Sequence, residues 1–305
     1  MQNFADELVG RLRALGHPLC VGLDPHLGLI PELFRSGSMA PLDPRTPVAV
    51  ESFLTAVVDR LGGRVAIVKP QIAFFEQLGW PGLRLLASVV ERCRARGLLV
   101  LLDAKRGDVG STAAAYAAAY LAPGAPLAVD ALTLSPYLGR DSLAPFVDAA
   151  RQGGRGLFVL VKTSNPGSGD FQDRGIEGGG RLYEEVAAAL GEAAQTLRGP
   201  ATGFSSLGAV VGATYPEESL RVRERLPASL FLVPGYGAQG ASARDAVAGF
   251  VAGPNGRREG GVVSSSRAVL FPSAAARYDA GSWERAIDGA VERAAGELAE
   301  AVARV

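Results

Sequence analysis

The sequence predicts a single (β/α)₈ barrel spanning residues 1–305, on three observations. Eight short aliphatic segments recur along the chain, helical stretches separate them, and no break in composition divides the 305 residues. A chain of this length can bury a sizeable core. Strands alternating with helices in this way favour a parallel sheet with helices outside it, closed into a barrel. A doubly wound open sheet is the alternative for the same elements.

Taken in order, the expected strands are 19–23, 65–68, 98–102, 127–134, 157–161, 209–211, 230–233 and 262–264. Each is a short aliphatic run, as a strand covered on both faces requires. The expected helices include 50–61, 82–95, 113–121, 181–197 and 241–250, which are amphipathic or Ala-rich. Two long loops follow strand ends: 35–47, rich in Pro and Ser, and 165–180, rich in Gly. Both fall on the face where barrel enzymes keep their sites, as lids or as surface excursions.

Composition narrows the function classes. The 31 basic and 31 acidic side chains balance, and no segment is a basic tract, so nothing points to nucleic acid or an anionic membrane. No apolar run spans a bilayer, and the segment from Met1 to Glu7 lacks the basic and apolar regions of a signal peptide. Cys20 and Cys93 are the only cysteines, and His17 and His26 the only histidines. A disulfide framework, a zinc site or a His-based triad is therefore disfavoured, and a cytoplasmic location is expected.

The chemistry collects at strand ends. Strand 98–102 runs into Asp103-Ala104-Lys105-Arg106-Gly107-Asp108. Asp103 and Lys105 are two apart and share one strand face, whereas Asp108 lies beyond Gly107 on the loop. Ionised groups beside a core are costly unless matched, so this array is either a structural ion pair capping the strand or a catalytic device. Asp24, Lys69 and Lys162-Thr163-Ser164 end other strands in the same manner. Several such groups on one barrel face favour the catalytic reading.

Strand seven leads into Pro234-Gly235-Tyr236-Gly237-Ala238-Gln239-Gly240, and strand eight into Ser264-Ser265-Ser266-Arg267. Glycines such as Gly237 let backbone amides approach an anion, a following helix adds its dipole, and Arg267 supplies a forked donor. The glycine spacing is not that of a dinucleotide-binding turn. Tyr116, Tyr120, Trp80 and Trp283 are read as packing residues. Arg257-Arg258-Glu259 is read as a solvated turn on the opposite face, and His26 is left unassigned near the site.

On Asp103-Ala104-Lys105-Arg106-Gly107-Asp108, together with Lys69-Pro70-Gln71, Ser135-Pro136-Tyr137-Leu138-Gly139, Thr163-Ser164-Asn165-Pro166-Gly167 and the 234–240 turn, the chain resembles the orotidine 5′-phosphate decarboxylases in their longer bacterial form. The resemblance runs from Val21 to Arg267. It implies a barrel, a homodimer with shared active sites, and decarboxylation of orotidine 5′-monophosphate to UMP, the last step of de novo UMP synthesis, with no cofactor and no metal. It implies Lys105 as the acid that protonates pyrimidine carbon 6 and Asp103 as the carboxylate beside the departing group. Lys69 would bond ribose and hold Asp103, and Asp108 would be lent to the other subunit's network. Thr112 and Asp24 correspond to ribose contacts, Ser164 to the base-edge contact, and Gln239 and Arg267 to phosphate contacts.

A magnesium-dependent sugar-phosphate decarboxylase or aldolase of the same superfamily shares Asp-x-Lys-x-x-Asp, but Lys69-Pro70-Gln71 offers no metal-binding carboxylate. A non-catalytic phosphate-binding barrel is the remaining alternative. The chemistry suits the first assignment. Losing carbon dioxide from this ring leaves an in-plane carbanion with no cofactor to accept the electrons. Preorganised charge at carbon 6 must supply that stabilisation.

Overall fold

Side-chain parity organises the molecule, seen in a computed structural model that describes residues 3–237, 240–272 and 279–303. The strands are β1 Leu19–Leu23, β2 Ile67–Pro70, β3 Leu99–Arg106, β4 Ala131–Leu134, β5 Gly156–Lys162, β6 Ser205–Val211, β7 Ser229–Val233, β8 Val251–Ala252, β9 Arg258–Glu259 and β10 Gly261–Ser265. Eight of them close into a parallel barrel in the order β1-β10-β7-β6-β5-β4-β3-β2, while β8 and β9 form a separate antiparallel ribbon. The expected closed barrel is therefore the observed architecture, and the open-sheet alternative is not.

Alternate residues of each strand face inward. Cys20, Ile67, Leu99, Leu101, Ala131, Phe158, Val210, Leu230, Leu232 and Val262 belong to one buried cluster that fills the barrel. Their neighbours Val21, Val68, Val100, Leu102, Leu132 and Val159 belong to a second cluster that packs against the helices. Helix Phe4–Leu15 closes the bottom. Asn3 caps it by accepting from the Asp6 N–H, and Phe4, Ala5, Leu8 and Val9 are buried. The Phe4 ring meets Phe158 edge-on at 6.2 Å. Gly156 is required there, since a Cβ at that position would lie 2.4 Å from the Phe4 ring.

Several expected boundaries move. β2 runs on through Lys69 and Pro70, because Lys69 takes the next inward position after Ile67. The expected 127–134 strand keeps only Ala131–Leu134; the preceding Asp130 turns its carboxylate to the Val100 N–H and to Arg155. β6 starts earlier than its aliphatic run, at Ser205, whose buried hydroxyl donates to Ala194 O at 2.7 Å. The expected helix 181–197 divides into Leu182–Ala189 and Gly191–Thr196. The expected helix 241–250 is one turn, Ala243–Ala246. Arg258 and Glu259 lie in β9, and Arg13 makes a two-pronged pair with Glu259 at 2.8 Å.

One buried cation holds the lower rim. Arg223, from helix Pro216–Arg225, donates to the carbonyls of Gly249, Leu226, Pro227, Ser229 and Gly260 and lies over the Phe231 ring. Burial lowers its pKa to about 9, which leaves it charged at neutral pH. Removing it strands several buried carbonyls at once. Arg223→Met is expected to lower unfolding free energy by about 3 kcal/mol or more, measured by urea denaturation. A loss under about 1 kcal/mol would show that the rim does not depend on this residue.

Candidate active site

The inward positions above the apolar filling are polar. Parity carries β1 from Cys20 to Asp24, β2 from Ile67 to Lys69, β3 from Leu99 and Leu101 to Asp103, and β4 from Ala131 to Thr133. Lys69 Nζ donates to Asp103 Oδ2 at 3.1 Å, and Lys105 Nζ donates to Asp103 Oδ1 at 2.6 Å. The Thr133 hydroxyl donates to the same Oδ1 at 2.9 Å. Lys69 and Asp103 are buried, while the Lys105 side chain is 44% exposed and opens to the cleft.

Lys105 does not reach this position by a regular pleat. Its φ is +48°, a conformation rarely adopted by residues with a side chain. The pairing of β3 with β4 shifts register between Leu102 and Arg106. The expected meeting of Asp103 and Lys105 therefore occurs, but through a bulge, a device common next to active sites.

The cleft at the carboxyl ends of the strands has a volume of about 340 Å³. It gathers six of the expected residues: Asp24, Lys69, Asp103, Lys105, Ser164 and Arg267. His26, Thr163, Asn165, Tyr236 and Ser266 also line it and were not among the expected site residues. Their signal in the sequence is position just beyond strand ends and, for Thr163, Asn165 and Tyr236, membership of the motifs that carry the resemblance. Among the described residues, Asp24 Oδ1 and Ser266 Oγ are buried without a hydrogen-bond partner, and buried polar groups are ordinarily bonded. Gly22 permits the close approach of β1 and Ser266, since a Cβ there would lie 2.7 Å from the serine's Cβ.

Four expected residues do not line this cleft as described. Asp108 is half-buried on the loop after β3, where its carboxylate accepts the Val109 N–H at 2.7 Å. Thr112 is exposed on the first turn of helix Gly110–Leu121. Gly237 is exposed in a turn with φ +70°. Gln239 lies outside the described residues. The turn does not run directly into a long helix, because the next helix is only Ala243–Ala246, so the expected dipole contribution is weak.

Lys162, also at a strand end, turns away from the cleft. β5 shifts register against β6 between Leu160 and Lys162, which breaks inward parity there. The fully buried Lys162 ammonium bonds both Asp173 oxygens at 2.8 Å and Ser168 at 3.1 Å, and lies 4.2 Å from the Tyr215 ring centre. The Gln172 side chain accepts the Thr163 N–H through Oε1 and donates to the Thr163 hydroxyl through Nε2. The Gly-rich segment is thus pinned at its base.

The charges tune one another. Burial pushes the Asp103 carboxyl up, but Lys69 and Lys105 outweigh it and hold it at about 2. Burial pulls the Lys69 ammonium down; Asp103, then Asp24, more than compensate and hold it above the ordinary lysine range. Cys20, beneath them, is pushed up to about 12 by burial and remains a thiol.

The family model of the orotidine 5′-phosphate decarboxylase / HUMPS family matches residues 17–273. An orotidine 5′-phosphate decarboxylase of Rhodopirellula baltica is 43% identical over 298 residues, covering 95% of this chain and 97% of the relative. One from Deinococcus radiodurans is 44% identical, covering 88% of this chain and 89% of the relative. Among solved structures, the Leishmania donovani OMP decarboxylase superposes with a TM-score of 0.76 at 32% identity, covering 98% of this chain and 99% of that one.

The depressed Asp103 carboxyl links the site to stability. Its folded pKa of about 2 lies below the unfolded value of 3.8. The unfolded chain therefore takes up the proton first as pH falls. The stabilisation is complete above pH 4 and is lost as pH drops through about 2. Between pH 5 and pH 3, urea unfolding should show the native protein losing about 1 kcal/mol more than Asp103→Asn. Equal losses in both proteins would mean that Asp103 is not held below its ordinary range.

Proposed function

The chain belongs to the orotidine 5′-phosphate decarboxylase / HUMPS family, and from that premise we propose how its cleft works. The reaction is decarboxylation of orotidine 5′-monophosphate to uridine 5′-monophosphate. The observation that carries the mechanism is the Lys69–Asp103–Lys105 array, with one ammonium buried behind the carboxylate and the other facing the cleft.

The pyrimidine sits with carbon 6 against Lys105 Nζ and its carboxylate near Asp103. The carbon–carbon bond to that carboxylate breaks, carbon dioxide leaves, and the electron pair remains on carbon 6. Lys105 stabilises the developing carbanion electrostatically and then transfers a proton to it. The neutral amine regains a proton from solvent. No cofactor or metal enters this scheme. Asp103, ionised by its two cations, holds Lys105 in place and repels the substrate carboxylate.

Asp24 and Lys69 bind ribose; Asp24 Oδ1, without a partner among the described residues, supports that role. Ser164 reads the base edge. Arg267 binds phosphate beside the Gly237 turn, with Gln239 assigned there by family resemblance alone. Binding energy from the phosphate, far from carbon 6, can be used in the transition state.

Asp108 and Thr112 complete the site of a second copy in a homodimer. Their absence from the cleft of their own chain supports this, as do the large exposed side chains Val109, Tyr137 and Leu138 just beyond β3 and β4. No helix of the described residues is long and apolar enough to cross a membrane. The proposed setting is the cytoplasm, with no nucleic-acid or membrane partner.

Loss of the orotidine absorbance on mixing the protein with orotidine 5′-monophosphate measures turnover. Lys105→Ala is expected to lower kcat by about a hundredfold to a thousandfold or more while still binding UMP. Near-native turnover would remove Lys105 from the mechanism. Lys105→Ala and Asp108→Asn should each be nearly inactive when refolded alone. In a mixed dimer with shared sites, one site carries both lesions and the other neither. Refolding an equal mixture should restore about a quarter of native activity, since half the dimers are mixed and half their sites intact. If mixed dimers form without recovering activity, Asp108 acts within its own chain.

A further inference from the structure

β3 pairs with β4 at Leu101 and Leu102, and next at Arg106. Asp103, Ala104 and Lys105 are thus set against the single residue Thr133. The Thr133 side chain takes over where the ladder is interrupted. Its Oγ1 accepts the Ala104 N–H at 2.9 Å and the Lys105 N–H at 2.8 Å. Its own proton goes to Asp103 Oδ1, the oxygen that also accepts from Lys105 Nζ.

A hydroxyl has one proton and two lone pairs, and here all three are used. Thr133 is buried, so water cannot readily replace it. Every group it bonds belongs to the bulge that presents Lys105 at a φ of +48°. Such backbone conformations persist only where surrounding structure imposes them. Valine would match the shape of threonine and provide none of the three bonds.

We propose that Thr133 is a positioning residue for the decarboxylation, aligning Lys105 with Asp103 through its hydroxyl without touching the reacting carbon. This rests on the assignment of Lys105 and Asp103 to the chemistry.

The test compares Thr133→Val and Thr133→Ser. Thr133→Ser, which keeps the hydroxyl, should stay within about threefold of native kcat. Thr133→Val should lose tenfold or more in kcat with KM and UMP affinity unchanged. It should also bind a pyrimidine nucleotide bearing an oxyanion at carbon 6 at least tenfold more weakly, because that charge needs an aligned ammonium. The proposal is overturned if Thr133→Val retains native kcat, if Thr133→Ser falls equally, or if UMP affinity falls in step with kcat. Should Thr133→Val fail to fold, Thr133→Cys, with its weaker donor and acceptor, is judged by the same split. Lys105→Ala assayed alongside separates the two claims. Turnover by that variant would overturn the site assignment, whereas an inactive Lys105→Ala beside a fully active Thr133→Val would overturn the role of Thr133 alone.

Discussion

The site depends on keeping one carboxylate ionised inside a barrel. Asp103 sits directly above a filling of Leu99, Leu101, Ile67 and Ala131, where an unpaired charge would be costly. Two ammonium groups remove that cost, and the Thr133 hydroxyl satisfies a further part of the same carboxylate. The exchange is mutual. Lys69 is buried even more deeply than Asp103, and Asp103 is the main group that holds it charged. Removing one partner leaves another buried charge without compensation, so the array behaves as a unit.

Lys105 differs from Lys69 in one respect that matters for chemistry. Both bond Asp103, but the Lys105 side chain is 44% exposed and that of Lys69 8%. One cation is therefore held mostly out of solvent at the cleft wall, and the other is the more open to a ligand. An array with both lysines buried would be a structural ion-pair cluster. An array with both exposed would lose most of its field to water. The asymmetry follows from the backbone: Lys69 extends a regular strand, whereas Lys105 stands on the bulge.

That difference also marks what the sequence makes legible. Asp24, Lys69 and Asp103 could be read because each is a polar residue at an inward position, just where an aliphatic run ends. Parity survives along a regular strand, so their convergence follows from counting. Lys162 has the same signature and turns the other way, because the register shift in β5 is a tertiary feature with no local mark in the sequence. Thr133 is hidden for another reason. A β-branched residue between Leu132 and Leu134 looks like ordinary strand composition, and only its three hydrogen bonds distinguish it. The expected elements omit helix Phe4–Leu15, although Asn3, Asp6 and Glu7 at its start and Gly16 at its end are recognisable capping signals. The early start of β6 was obscured by Ser205, Ser206 and Gly208, which read locally as a turn but are buried among strands.

The two faces of the barrel meet the same electrostatic problem differently. At the upper face, buried cations are balanced by a carboxylate, which leaves a field aimed into the cleft. At the lower rim, Arg223 is surrounded by five backbone carbonyls. Neutral acceptors can stabilise a guanidinium in fixed geometry, but they neither titrate nor rearrange easily. The lower rim is therefore suited to holding strand ends together, and the upper face to responding when a charged ligand enters. Lys162 is likewise a buried cation balanced by a carboxylate, but its pair turns away from the cleft. Its bonds to Asp173 and Ser168 anchor the base of the Gly-rich segment, so motion of that segment must be sought beyond Asp173 rather than at its junction with β5.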